Sequence, residues 1–180
     1  MNFTRVAAVL ALATALAPPA AAQTAPVTEP GTWSVTPFLS VTFGGDGDSA
    51  SLGLGAAGAY DITAELGVEA ELAYVFDLMG NADAADWSLL GVSANVLYHF
   101  PLENGMAPYA TAGIGFGRSA LTVGDADATS TEAGFNLGGG LKAPLTDALA
   151  ARGDIRYFSY NDAAPDGWRV YGGLTWRPGR

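Results

Sequence analysis

The chain has 180 residues, with 18 acidic against 8 basic side chains for a net charge of −10, and no cysteine. The acidic balance excludes nucleic acid as a partner, because its recognition needs a basic footprint, and the lack of cysteine excludes disulfides and thiolate metal sites. The length suits one domain with one core.

Arg5 opens a short basic region, Val6 to Leu16 is apolar, and Ala20-Ala21-Ala22 supplies small residues for a peptidase cut. An apolar stretch of eleven residues is too short for a membrane helix, which needs about 20. Residues 1–22 therefore read as a signal peptide cut before Gln23. Since Arg5 leaves and no acid does, the exported 158 residues carry −11. Residues 23–31, with Pro26 and Pro30, read as a short extended leader on the near side of a membrane.

From residue 32 the pattern has period two, the mark of a two-faced strand. The first strand sets Trp33, Val35, Pro37, Leu39, Val41 and Phe43 against Ser34, Thr36, Ser40 and Thr42, with Phe38 as the exception. The second, Ser51–Tyr60, puts Leu52, Leu54, Ala56 and Tyr60 on its apolar face. The third, Ala64–Phe76, sets Leu66, Val68, Ala70, Leu72, Tyr74 and Phe76 against Glu65, Gly67, Glu69, Glu71, Ala73 and Val75. The fourth is Ser88–Phe100, with Leu89 and Leu97 falling among its polar set; the fifth is Pro108–Arg118 and the sixth Thr131–Ala143. In the seventh, Ala148–Tyr160, Arg152, Asp154, Arg156 and Phe158 oppose Leu149, Ala151, Ile155 and Tyr157. The eighth, Trp168–Trp176, sets Arg169, Tyr171, Gly173 and Thr175 against Trp168, Val170, Leu174 and Trp176.

Short connections (Asp61–Thr63, Pro101–Ala107, Pro144–Asp147) alternate with mostly longer polar ones (Gly44–Ala50, Asp77–Trp87, Ser119–Ser130, Asn161–Gly167). The expected fold is all-β, an eight-stranded antiparallel up-and-down transmembrane barrel, with short periplasmic turns, longer outer loops and both termini in the periplasm. A soluble barrel of lipocalin type would bury the apolar set instead. Its outer face would then be the other set, which is too rich in glycine to serve as a solvated surface. Aromatics agree with the membrane. Trp33, Tyr60, Tyr98, Phe100 and Trp176 fall at one end of the apolar faces, and Phe43, Tyr74, Phe76, Phe116, Phe135 and Trp168 at the other, as two interfacial girdles require.

Residues 32–177 resemble the outer-membrane β-barrel family that includes the barrel domain of outer-membrane protein A, the outer-membrane protein X type and porin-like opacity proteins. The resemblance is carried by Pro108-Tyr109-Ala110-Thr111-Ala112-Gly113-Ile114-Gly115, the Arg156-Tyr157 pair and the closing Gly173-Leu174-Thr175-Trp176-Arg177. It implies a Gram-negative outer membrane, with lipid, lipopolysaccharide and the barrel-assembly machinery as partners, and possible contact with a host or neighbouring-cell surface. Members of the family usually finish on an aromatic residue that the assembly machinery reads. Here residues 178–180 follow as a tail, which leaves Trp176 as the terminal aromatic, and no peptidoglycan-binding domain is expected after the barrel.

Inner-face charge is the most informative chemistry. Glu65, Glu69 and Glu71 face Arg152, Asp154 and Arg156 across a lumen too narrow for a water column, so they are expected to pair, because an unpaired buried charge is costly. Arg169, Lys142 and Arg177 would extend this network, read as a structural ionic plug in preference to a gate or proton path. His99, the single histidine, lies beside a short turn with no neighbouring serine, and nucleophilic catalysis needs base and nucleophile within hydrogen-bond reach. It is expected to bond a turn group in the lumen. No enzyme activity, cofactor or metal is expected. The loop acids Asp46, Asp48, Asp77, Asp83, Asp86, Asp125, Asp127, Asp162 and Asp166 match no calcium-loop spacing and read as a solvated surface. Gly44-Gly45-Asp46-Gly47 is a loop tip, since no helix follows to make a phosphate cradle. The expected role is structural or surface-interacting, with a narrow solute channel as the alternative and a lipid-modifying enzyme third.

Overall fold

The computed structural model describes residues 26–44, 50–76, 86–123, 126–161 and 166–178. Eight strands form: β1 (Thr32–Phe43), β2 (Ala50–Asp61), β3 (Leu66–Phe76), β4 (Asp86–His99), β5 (Ala107–Val123), β6 (Ala126–Pro144), β7 (Leu149–Tyr160) and β8 (Gly167–Trp176). Each pairs antiparallel with its chain neighbours, and β8 pairs with β1, which closes the barrel and leaves no sheet edge around its wall. The expected signal segment lies outside the described residues.

Burial follows the two-residue period with the apolar set outside. On β3, Val68, Ala70, Leu72 and Tyr74 are exposed, whereas Glu69, Glu71, Ala73 and Val75 are buried. Leu39 and Ile114 are 73% and 72% exposed. A wall of exposed leucine, valine and isoleucine around charged and polar side chains inverts the soluble barrel and suits lipid.

The register fixes how the strands tilt. Stepping between paired residues from Trp33 to Tyr60, Val68, Val96, Ala112, Leu137, Tyr157 and Trp168 returns to β1 at Phe43, ten residues above the start. That stagger implies a strand tilt of roughly 40° and a climb of about 1.25 residues per strand crossed. On this scale Trp33, Tyr60, Tyr98, Phe100 and Trp176 lie within about two residues of one level. Phe43, Tyr74, Phe76, Phe116, Phe135 and Trp168 lie about eight to ten residues higher. At about 3.3 Å per residue and this tilt, roughly 20 Å of wall separates the two levels.

Two of the short turns share one device. In Ile62-Thr63-Ala64-Glu65-Leu66 and Leu145-Thr146-Asp147-Ala148-Leu149, the threonine hydroxyl accepts the amide of the closing leucine, at 2.9 and 3.1 Å. That leucine's carbonyl accepts two amides from the turn's first pair of residues, Ile62 and Thr63 or Leu145 and Thr146. A hydroxyl that bonds its own backbone favours a turn over a ladder, so β3 begins at Leu66, two residues after the expected Ala64. The remaining short turn closes with Gly105 N donating to Leu102 O at 2.9 Å, and Gly105 has φ 79°, a conformation that favours glycine.

The expected loop Ser119–Ser130 is mostly strand. Ser119 pairs with Ser130, Ala120 with Thr129 and Leu121 with Ala128, so β5 and β6 run on as a hairpin above the upper aromatic level. Its small and hydroxyl-bearing residues read as loop because no lipid or core lies beside them to impose alternation. The leader is tied to the short-turn end. Val27 and Thr28 are buried, Val27 N donates to Gly105 O at 3.3 Å, and the Val27 side chain clusters with Ala107 and Ala150 under the short-turn end.

Candidate functional site

Strands β3 and β7 stand four places apart on a ring of eight, so their inward side chains face each other across the lumen. β7 presents Arg152, Asp154 and Arg156 at successive inward positions, β3 presents Glu69 and Glu71, and β8 presents Arg169; all six are buried. Their long side chains cross a space that glycines vacate. Gly138 and Gly140 on β6 pair with Arg156 and Asp154. A Cβ on Gly138 would come within 2.7 Å of Arg156 Cα, and one on Gly140 within 2.4 Å of the Tyr109 hydroxyl oxygen.

The six ions form one cluster. Arg152 Nη1 meets Glu69 Oε2 at 2.5 Å and Arg152 Nη2 meets Asp154 Oδ2 at 3.4 Å. Arg156 donates from Nη2 to Glu69 Oε1 at 2.8 Å and from Nε to Asp154 Oδ1 at 2.9 Å. Arg156 Nη1 faces Glu71 Oε2 at 3.5 Å as an ion pair without a hydrogen bond, and Arg169 Nη2 donates to Glu71 Oε1. Three guanidiniums thus balance three carboxylates. Neutral groups complete the shell. Arg152 Nε donates to the Tyr109 hydroxyl at 2.8 Å, and that hydroxyl donates to Asp154. Asn95 Nδ2 donates to Glu69 Oε1 at 3.4 Å, and Asn136 Nδ2 to Asn95 Oδ1 at 2.8 Å. Neither asparagine was among the residues expected in the cluster. Two asparagines with inward parity on strands flanking the ions were the available signal.

Three expected members stand elsewhere. Glu65 is exposed in the Ile62–Leu66 turn, where its carboxylate accepts from the Thr63 hydroxyl at 3.0 Å. The early close of that turn removes it from the strand. Arg177 sits past β8 and ties the short-turn end together, donating to Pro26 O, to Thr146 O at 3.4 Å and to Asp147 O at 2.6 Å. Burial lowers its proton affinity below the usual value, against the pull of Asp61 and Asp147. Lys142 is buried below the cluster, its ammonium 6.0 Å from the centre of the Tyr109 ring.

His99 corrects a further expectation. Its ring is buried and meets Tyr109 edge-on at 5.7 Å, and neither ring nitrogen has a hydrogen-bond partner among the described residues. The contact with the turn comes from its backbone instead, His99 N donating to Glu65 O at 2.6 Å.

At the loop end, Asp166 accepts the Tyr160 amide at 2.9 Å and the Ser159 and Tyr157 hydroxyls at 3.0 and 3.1 Å. The amide first, then the hydroxyls, hold its carboxyl below the usual carboxylate range. Asp46, Asp48, Asp77, Asp83, Asp125 and Asp162 lie outside the described residues, as do the Asp86 and Asp127 side chains. The loop tip Gly45-Asp46-Gly47 is also outside them.

The family model described as outer membrane protein beta-barrel domain matches residues 7–177. The chain belongs to that family. Among solved structures this member is similar to Neisserial surface protein A, at TM-score 0.70 and 16% identity over 80% of this chain and 96% of that one. It is also similar to Ail, the attachment invasion locus protein of Yersinia pestis, at TM-score 0.63 and 15% identity over 82% and 99%. The N-terminal barrel domain of Pseudomonas aeruginosa OprF gives TM-score 0.60 and 21% identity over 82% and 98%. At these identities the likeness is one of fold. No curated protein matches the chain by sequence. With the family settled, the exposed apolar wall is the face that the barrel turns to the lipid of a Gram-negative outer membrane.

Proposed function

We propose that this outer-membrane barrel is a closed anchor with a structural or surface-interaction role, in which residues 1–22 direct export, the short turns and the leader face the periplasm, and the long connections face outward. The observation that carries this reading is the ionic cluster of Glu69, Glu71, Asp154, Arg152, Arg156 and Arg169, which spans the lumen with its charges balanced. An eight-stranded interior is filled by side chains of this size, in contrast to the aqueous channel of a 16–18-stranded porin. The two aromatic levels supply the interfacial girdles, and Trp176 is the aromatic offered to the assembly machinery.

The outer connections carry nine aspartates and no lysine or arginine between Gly44 and Ala50, Asp77 and Trp87, Ser119 and Ser130, or Asn161 and Gly167. Ail has been solved in complex with the heparin analogue sucrose octasulfate. Like charges brought together at an interface disfavour binding, so the partner of the present surface is expected to be cationic or uncharged rather than a sulfated polyanion.

Planar bilayers test the closed lumen. Purified protein should give no steady conductance, and Glu69→Ala combined with Arg156→Ala should open a small leak. Porin-sized steady currents from the unaltered protein would overturn the closed reading and favour a narrow solute channel.

A further inference from the structure

Above the ionic cluster the lumen opens at the outer mouth into a cavity of about 210 Å³. Val75, Leu89, Trp87 and Phe158 contribute to its walls, and Arg169 lines it with its guanidinium 4.4 Å from the centre of the Phe158 ring. Below lies the paired cluster, so the space is a dead end and not part of a through-path.

Two polar atoms on residues lining this space lack a hydrogen-bond partner among the described residues: Arg169 Nε, on a side chain 6% exposed, and Thr42 Oγ1. Glu71 takes Nη2 of Arg169, and the carboxylate at the rim, Asp166, is already engaged by three donors. Both atoms are sealed from the cup, so what the cup itself offers is apolar wall and the Arg169 guanidinium. An oxygen acceptor on the occupant would meet that guanidinium, and a carboxylate does so with a charge-assisted bond. Size limits the rest of the molecule. An apolar cavity of about 150 Å³ takes benzene, so this one admits a single ring or a short chain with its head group, with Phe158 as an aromatic wall.

We propose that the outer mouth is a dead-end binding cup for a small amphiphile, an aromatic or short-chain carboxylate whose apolar body lies against Val75, Leu89 and Phe158 and whose oxygens reach Arg169. Gly91 also lines the cup, and a Cβ there would meet nothing nearer than the Tyr160 hydroxyl oxygen at 3.8 Å and Ala73 O at 3.9 Å. Gly91→Leu therefore adds bulk to the cup from a position where the first side-chain atom is free of clash.

The test is an NMR titration of ¹⁵N-labelled full barrel in lipid nanodiscs, with benzoate and with benzyl alcohol as the probes. Benzoate should give saturable amide shifts at Gly91, Phe158 and Gly167 and bind about tenfold or more tightly than the alcohol, the worth of roughly one charge-assisted bond. Gly91→Leu, with heat-modifiable gel mobility showing that it is folded, should abolish the shifts. Arg169→Met, which keeps the stem but removes the charge, should remove the preference for benzoate. Shifts that never saturate, or that survive Gly91→Leu, would overturn the cup. Equal binding of the two probes by the unaltered protein would also overturn the proposal, without needing any variant to fold, since Arg169 would then have no role in it.

Discussion

Neighbouring residues of β3 live under opposite rules. Ala70 and Leu72 face lipid, where nothing can solvate a charge, while Glu69 and Glu71 point into a lumen where charge is present in quantity and balanced. The two regions are equally dry in the sense that matters. What differs is the supply of partners: the lipid face offers hydrocarbon, and the lumen face offers three guanidiniums held by β7 and β8. Burial alone therefore does not decide whether charge is tolerated at a position. Geometry across the barrel does.

The contrast is broken most severely from the inside. Arg156→Ala should leave Glu69 and Asp154 short of a partner in a buried site, at a loss of about 3–5 kcal/mol, read by reversible denaturant unfolding in detergent or vesicles. Next comes the outside. Leu72 lies between the two aromatic levels, so Leu72→Arg should cost about 2–4 kcal/mol, while Ala73→Ser, one residue on but facing inward, should stay within about 1 kcal/mol. Comparable losses at the two sites would mean that the faces are not distinguished by lipid at all. The lumen side is sharpened by a double-mutant cycle of Glu69→Ala with Arg152→Ala, for which coupling above about 0.5 kcal/mol is expected; additive effects would show that the pair at 2.5 Å contributes nothing jointly.

The smallest effect is at the rim. The folded protein depresses the Asp166 carboxyl, so this group's contribution is present above the ordinary aspartate value of about 3.9 and lost as pH falls through the lower folded value. Unfolding of the unaltered protein should therefore weaken more than that of Asp166→Asn between about pH 4 and the acid limit. Parallel curves would show that the bonds to Tyr160, Ser159 and Tyr157 do not outlast exposure to solvent.

Most of the wall is legible because a strand's period is two and lipid enforces it along the whole membrane span. Leu39, Leu72, Val96 and Ile114 face out as that period requires, and even Leu89 and Leu97, apolar residues among inward positions, fall where parity puts them. Where the enforcing solvent is absent, legibility fails. Ser119–Ser130 projects beyond the wall, nothing rewards alternation there, and a hairpin reads as a loop. Glu65 has the parity of a lumen residue, but the Thr63 hydroxyl, a purely local bond, turns the chain before the strand begins. The leader has no period, and its burial depends on Ala107 and Ala150 arriving from elsewhere in the chain.

Alternation and composition act residue by residue, so the pattern alone yields eight two-faced strands with lipid-compatible outer faces, acidic connections and no cysteine. Who meets whom inside depends on how the ring closes. Closure with a ten-residue stagger brings Glu69 to Arg152 and Arg156, sends Arg177 to the leader and the Thr146 turn, leaves the His99 ring without a hydrogen-bond partner among the described residues, and opens a cup beside Arg169. Those contacts join residues from 30 to 151 positions apart. Such distances are set by the register and tilt of a closed ring, which no local pattern encodes.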